Sequence, residues 1–306
     1  MMRKDRAALR PKRKWSSLAL CAMILVAQGT VIRGERQTKL KTVQDLLALR
    51  SSEPDFTIPY GENPSQFGQL RLPEGTGPHP VAIVLHGGCW RAAFDLLHIG
   101  PLASAITGLG FATWSLEYRR LGDPGGGWPG TFEDVARGAD HLREVARRHP
   151  LDLDRVVAVG HSAGGHLALW LAGRHRLPAD AQLGDGSPLP LRGVVSLAGV
   201  PDLREGARRS VCGDAIPRLL GGPPEERGDR LRVGSPVELL PLGLPQRLVC
   251  GDLDEIVPPE LSTLYADAAR RAGDTIAVDI VEGAGHFELV RPGSVTWPVI
   301  LGSLRE

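Results

Sequence analysis

Cysteine is scarce in this 306-residue chain, with only four residues, and the first of them, Cys21, lies in a segment expected to be removed. That leaves Cys89, Cys212 and Cys250, an odd number at irregular spacing, which defines no disulfide framework and no CxxC metal pair. Whether any two of the three are joined stays open at this stage. Aromatic residues are few as well, six Phe, six Trp and three Tyr. No internal repeat is visible, and the 38 glycines and 25 prolines are scattered between apolar runs without a short period. Collagen-like and disordered classes are therefore excluded. No long apolar run is present either: the N-terminal stretch Leu18 to Ala27 falls short of the roughly 20 residues a membrane span needs.

What precedes that stretch is basic. Arg3, Lys4, Arg6, Arg10, Lys12, Arg13 and Lys14 lead into it, and the small residues Ala27 and Gly29 follow, so residues 1–29 read as a secretory signal peptide. The alternatives are a disordered extension and a misplaced start codon. Lipidation at Cys21 is not expected, because Leu20 stands where a lipoprotein signal carries a small residue. Removing residues 1–29 takes seven of the 36 basic and one of the 35 acidic residues, leaving 29 against 34, a net charge of −5. A nucleic-acid partner is excluded on that balance, since phosphate binding needs clustered positive charge. The mature chain is expected to be secreted or periplasmic, without stable membrane insertion; a cytoplasmic location is the alternative.

Hydrophobic residues make up 42% of the chain, enough to bury one large core. After a polar lead-in over residues 30–54, a single catalytic domain is expected over 55–306. Strand candidates are Gln69 to Leu72, Val81 to Leu85, Phe111 to Leu116, Arg155 to Val159, Gly193 to Leu197, Gln246 to Cys250 and Ile276 to Val281. Most are continuous apolar runs, as in strands covered on both faces. Helical periodicity falls between them, at Gly100 to Leu109, Thr131 to Arg148, Gly164 to Arg174, Glu260 to Ala272 and Val295 to Arg305. The alternation predicts an α/β fold with a mostly parallel sheet and helices on both faces. Residues 202–244, rich in Arg, Gly and Pro and without a clear strand, are expected to form a short cap insertion or long loop.

Gly160-His161-Ser162-Ala163-Gly164 sits between a strand candidate and a helix candidate. Strand, sharp turn and helix in that order form a nucleophile elbow, with flanking glycines that let the backbone pass closely and a strained turn that lifts the hydroxyl above the sheet. The plain alternative is that Ser162 only caps the helix. A serine needs a base, and in this arrangement the acid and then the histidine follow it in the chain. His286, in the turn Gly283-Ala284-Gly285-His286-Phe287 after the last strand candidate, fits the base better than His166 or His175. For the acid, Asp254 in Gly251-Asp252-Leu253-Asp254-Glu255-Ile256-Val257-Pro258 has the register of an aspartate-x-x-Val-Pro loop, ahead of Asp252 and Glu255. The tetrahedral oxyanion needs amide donors, and Gly87, Gly88, Cys89 and Ala163 are placed to supply them. Cys89 is read as a small buried thiol rather than a second nucleophile. Trp90 and His161 are candidate pocket residues.

On these residues the chain resembles the esterase and lipase branch of the α/β-hydrolase superfamily, among the feruloyl-esterase-like and kynurenine-formamidase-like serine hydrolases. The matching stretches are His86-Gly87-Gly88 with Trp90, Glu117-Tyr118-Arg119-Arg120, Gly127 to Val135, Gly160 to His166, Asp254 and His286. The resemblance implies the α/β-hydrolase fold and hydrolysis of carboxylic esters without cofactor or metal. Cys89 departs from the glycine or tyrosine common in relatives, which bears on the shape of the oxyanion loop. Tyr118 and Arg119 read as structural, with Arg119 pairing a carboxylate such as Asp134, and Trp128-Pro129 as the start of a helix.

The function expected is therefore a serine carboxylesterase acting on a small-molecule ester through an acyl-enzyme. A formamide substrate, cleaved by the same attack, is the first alternative, and a non-catalytic ligand-binding homologue the second. Small acyl groups, formyl and acetyl among them, are expected: aromatics are few, the cap lacks the apolar stripe of a lipase lid, and Trp90 stands beside the oxyanion loop.

Overall fold

A computed structural model describes residues 39–178, 181, 183 and 187–304. The expected signal segment lies outside them. Eight strands form one sheet: β1 (Phe56–Pro59), β2 (Phe67–Arg71), β3 (His79–Leu85), β4 (Ala112–Leu116), β5 (Leu151–His161), β6 (Gly193–Leu197), β7 (Gln246–Gly251) and β8 (Ile276–Val281). Their order is β1-β2-β4-β3-β5-β6-β7-β8, antiparallel at β1-β2 and β2-β4 and parallel from β4 to β8. Every residue of β4 and all but one of β3 are buried, so these strands are covered on both faces and their sequences carry no alternation.

The helices are α1 (Val43–Leu47), α2 (Gly100–Thr107), α3 (Gly130–Asp140), α4 (Leu142–Val145), α5 (Ala163–Gly173), α6 (Leu203–Arg208), α7 (Ala215–Leu220), α8 (Gly228–Gly234), α9 (Glu260–Arg271) and α10 (Trp297–Ser303). All eleven residues of α5 are buried. It packs on β5, β6 and β3, which makes it the central helix of the core. Together these features make the chain an α/β-hydrolase fold.

Several sequence expectations are corrected. The antiparallel strand β1 escaped detection because it is short, ends in proline and is mostly exposed, so it shows neither run nor alternation. The single helix expected over Thr131 to Arg148 is two, α3 and α4, joined at His141. The described part of the polar lead-in, from residue 39, holds the short helix α1. Thr42 and Asp45 form a reciprocal capping box on α1, and Leu46 is fully buried. Within 202–244 the chain folds as α6, α7, α8 and short 3-10 turns. Leu203, Ile216, Leu219, Leu220, Leu231 and Val233 are all buried there, an apolar stripe that frequent Arg, Gly and Pro hide in the sequence.

β3 lies between β4 and β5, so the chain leaves it in one direction and returns on the other side. A crevice opens at the carboxyl ends of strands where the order reverses in this way. Leu85 pairs with Gly160 at the ends of β3 and β5, and His161 with Leu197 in β6. The loops after β3, β5 and β6 therefore emerge side by side.

Candidate active site

Ser162 stands between β5 and α5 with φ 56° and ψ −120°, a conformation that L residues adopt only when their surroundings impose it. Its amide donates to Leu197 O at 2.8 Å and its carbonyl accepts from His166 N at 3.1 Å. It is the N-cap residue of α5, but its hydroxyl makes no cap hydrogen bond. The capping alternative thus leaves the side chain unexplained. Glycine is required on both sides of the turn: a Cβ on Gly160 would run into the Gly164 carbonyl, and one on Gly164 into the carbonyls of Leu85 and His86.

His286 and Asp254 meet across the loops after β8 and β7. His286 Nδ1 donates to Asp254 Oδ2 at 2.7 Å, and Asp254 Oδ1 accepts from the amides of Ile256 and Val257, both at 2.9 Å. Asp254 is buried. The competing carboxylates are placed elsewhere: Asp252 accepts from Gly283 N at 2.7 Å on the exposed side of the loop, and Glu255 is exposed. The His286 turn is held from below by Glu288, whose carboxylate accepts from Gly285 N at 3.1 Å and from Lys41 N at 2.6 Å.

Ser162 and His286 line one cavity of about 100 Å³ with Gly88, Cys89, Phe94, His98, His161, Ile256, Phe287 and Val43. A larger, more open hollow of about 540 Å³ around Arg71 and Thr107 contains no serine–histidine pair, and its size alone does not make it a reaction site. Gly87 lies against the serine, since a Cβ there would come within 2.9 Å of Ser162 Cβ and of His161 O. Among the described residues, the amides of Gly87, Gly88, Cys89 and Ala163 find no protein acceptor.

Trp90 does not line this cavity, which corrects the expectation that its indole narrows the acyl side. It is fully buried, with Nε1 donating to His166 Nδ1 at 3.3 Å. His161 does line it, and its Nε2 donates to His286 O at 3.1 Å. Burial, with His286 and His98 nearby, holds the His161 ring far below the usual histidine range, so it is neutral and carries its proton on Nε2.

Cys89 is not a free thiol, which corrects the reading of it as one: it is bonded to Cys212, 123 residues away. The signal was beyond the reach of spacing, because an odd cysteine count does not say which residue is left over. That residue is Cys250, whose thiol burial pushes up to about 11, too high for a ready nucleophile.

One group of residues was missed in the sequence, and one matched residue, Glu117, was left without a role. His98, Phe94 and Val43 reach the cavity from segments before the elbow, where the order of triad residues directs no search. Burial and the neighbouring His86 lower His98 to about 3, so it too is neutral. Behind the loop after β3 stands Glu117. Burial opposes its ionisation, yet His86, Arg120 and the Tyr118 amide together hold its carboxyl below the usual range. Its Oε1 accepts from His86 Nε2 at 3.0 Å and Oε2 from Leu96 N at 3.1 Å. Tyr118 stacks on the His86 ring and its hydroxyl donates to His86 O at 2.7 Å. Arg119 pairs with Asp134 as expected, Nε at 2.8 Å and Nη2 at 2.7 Å.

Similarity to known proteins points the same way. Esterase LipC of Mycobacterium tuberculosis is 27% identical over 248 residues, which cover 78% of this chain and 61% of LipC. The chain thus spans about three-fifths of that relative's length. Among solved structures, a truncated carbohydrate esterase from gut microbiota superimposes with a TM-score of 0.69 at 19% identity, covering 84% of this chain and 98% of that one. Esterase B from Lactobacillus Rhamnosis gives 0.69 at 20% identity, covering 86% and 89%. At those identities the likeness is one of fold. The model of the BD-FAE family matches residues 69–268, a stretch that begins in β2, ends in α9 and holds Gly87 to Cys89, Ser162 and Asp254. The chain belongs to the BD-FAE family.

Proposed function

We propose that this protein is a serine carboxylesterase that cleaves small-molecule esters of short acyl chains. One observation carries the reading: Ser162, the His286 ring held by Asp254 and the unpaired amides of the loop after β3 share a single cavity. Ser162 Oγ attacks the ester carbonyl while His286 Nε2 takes its proton. Asp254 keeps the imidazole in the tautomer that leaves Nε2 bare and stabilises the imidazolium that follows. Charge on the carbonyl oxygen is met by the amides of Gly88, Cys89 and Ala163, with Gly87 giving the close approach. The alcohol leaves with the His286 proton, and water releases the acid by the same steps in reverse order. LipC, described as an esterase, supports the reaction class.

The acyl limit follows from space. A cavity of about 100 Å³ bordered by Phe94, Phe287 and Ile256 suits an acetyl to butyryl group better than a long chain.

The same reading includes export, with residues 1–29 as the signal. The Cys89–Cys212 bond supports it, because structural disulfides form and persist in oxidising compartments.

A fluorophosphonate probe tests the chemistry. Ser162 is labelled stoichiometrically, and the labelled protein loses activity on a panel of esters and formamides. Labelling at another residue, or none, overturns the proposal.

A further inference from the structure

The loop that follows β3 has an unusual backbone. Gly88, Cys89 and Trp90 have φ of 106°, 54° and 54°, three consecutive residues in the left-handed region, two of them with a Cβ. Each such non-glycine residue is strained and persists only where its surroundings over-determine it. Trp90 is held by burial and by Leu121 N, which donates to its carbonyl at 2.7 Å. Cys89 is held within the loop by Arg91 N, which donates to Gly88 O at 2.9 Å and closes the turn, and from outside the loop as well.

The outside support is the turn between α6 and α7. Cys89 is disulfide-bonded to Cys212, with Cα atoms 5.6 Å apart. Next to the bond, Arg91 Nη2 donates to Cys212 O at 3.3 Å and forms an ion pair with Asp214. Cys212 and Gly213 are themselves left-handed, with φ of 61° and 64°. Two turns of strained backbone are thus tied to each other by a covalent and a polar link. Cys89 and Gly88 line the cavity with Ser162, whereas Cys212 does not.

We infer that the Cys89–Cys212 disulfide is a positioning element for catalysis: it locks the turn that aims the Gly88 and Cys89 amides, so ester turnover depends on the oxidised bond. The inference rests on the reading of those amides as oxyanion donors. Preorganised donors act only where the developing charge will be, so a loosened turn lowers kcat while ground-state binding in the cavity persists. The consequence is an enzyme that reaches full activity once it has met an oxidising compartment.

The test uses the full chain, p-nitrophenyl acetate as substrate and a water-soluble phosphine as reductant. The phosphine attacks one sulfur and expels the other as thiolate; water then releases the second thiol and leaves the phosphine oxide, so two electrons pass from phosphorus to the sulfurs. Reduced wild type and Cys212→Ser are each expected to lose about tenfold or more in kcat, with KM within about threefold, by the scale of a displaced oxyanion donor. The assays run well below the melting temperature of each form. Cys212→Ser should not respond to the phosphine, and reoxidation should restore the wild type. Affinity for a boronic acid, whose tetrahedral serine adduct places an oxygen in the same position, should fall in parallel with kcat.

If reduction lowers the melting temperature but leaves kcat and boronate affinity unchanged, the bond is only structural and the inference is wrong. Ser162→Ala separates the two levels. Should it abolish turnover while reduction does nothing, the esterase reading stands and the disulfide proposal falls; should it leave turnover intact, the esterase reading itself falls.

Discussion

His286 Nδ1 donates to Asp254 Oδ2 at 2.7 Å, joining the loops after β8 and β7 across 32 residues of chain. In the proposed mechanism this bond spends Nδ1 on orientation and leaves Nε2 to take the proton from Ser162. Ser162→Ala and His286→Ala are accordingly expected to lose several orders of magnitude in ester turnover while the fold persists. Asp254→Asn should cost on the order of 10⁴ in rate, because an amide at Oδ2 favours the wrong tautomer. Asp252→Asn, whose carboxylate serves Gly283 N, should cost far less. Steady-state kinetics with circular dichroism on each variant checks the ranking, and the reverse order for the two aspartates contradicts it.

Acyl-chain length provides the second measurement. On the proposed assignment of the small cavity to the acyl group, specificity constants for p-nitrophenyl esters from acetate to palmitate should peak at the short end. Phe94→Ala removes a wall and should move the optimum to longer chains. A wild-type maximum at ten or more carbons, a length a shallow pocket cannot bury, contradicts the assignment of this cavity to the acyl group.

Asp134 is fully buried and accepts from Arg119 Nε, Nη2 and N and from Gln66 Nε2 at 2.6 Å. Removing it from α3 leaves the buried Gln66 amide without its acceptor and the part-buried Arg119 guanidinium with only the more distant Glu133 as its ion-pair partner. Asp134→Ala should therefore lose about 3 kcal/mol of stability by the scale of a broken buried pair. Urea denaturation reads the loss directly; a change below about 1 kcal/mol, the size of an exposed pair, means that the site is wetter than its burial implies.

Acid should destabilise the fold through buried neutral histidines. Burial lowers His98 to about 3 and His166 to about 4, from the ordinary histidine value of 6.5. Below pH 6.5 the unfolded chain takes up protons that these rings refuse in the native state, so stability present above pH 6.5 is lost as pH falls towards 4. Each ring contributes a slope of ~1.4 kcal/mol per pH unit in that window. Unfolding free energies between pH 4 and 8 check it, and His98→Asn should reduce the slope by one proton's worth. An unchanged slope in that variant means that His98 is protonated in the native state.

For the export proposal, protein recovered from its native host should begin after Gly29. N-terminal sequencing that starts at Met1 or Met2 on soluble cytoplasmic protein contradicts it.

Local chemistry made much of this legible from the chain alone. Seven of the eight strands were marked, most of them by continuous apolar runs, because a strand buried on both faces, as β3 and β4 are, has no polar side to break the run. The glycines around Ser162 announced an elbow, since only glycine tolerates carbonyls that close to its α-carbon. Among the three carboxylates of the loop after β7, register favoured Asp254, and the aspartate that meets His286 is that one. What depends on distant segments meeting was out of reach. The partner of Cys89 lies 123 residues away, and no local pattern encodes a pairing of that range. Trp90 looked like a pocket wall from its place beside the glycines, but a left-handed turn sends its indole into the core against His166. Val43 and His98 reach the cavity from segments whose own sequences signal only a short helix and a turn. Periodicity and motif are properties of neighbours along the chain, whereas the shape of the cavity and the bond that ties the loop after β3 to the turn before α7 are set by which neighbours folding brings together in space.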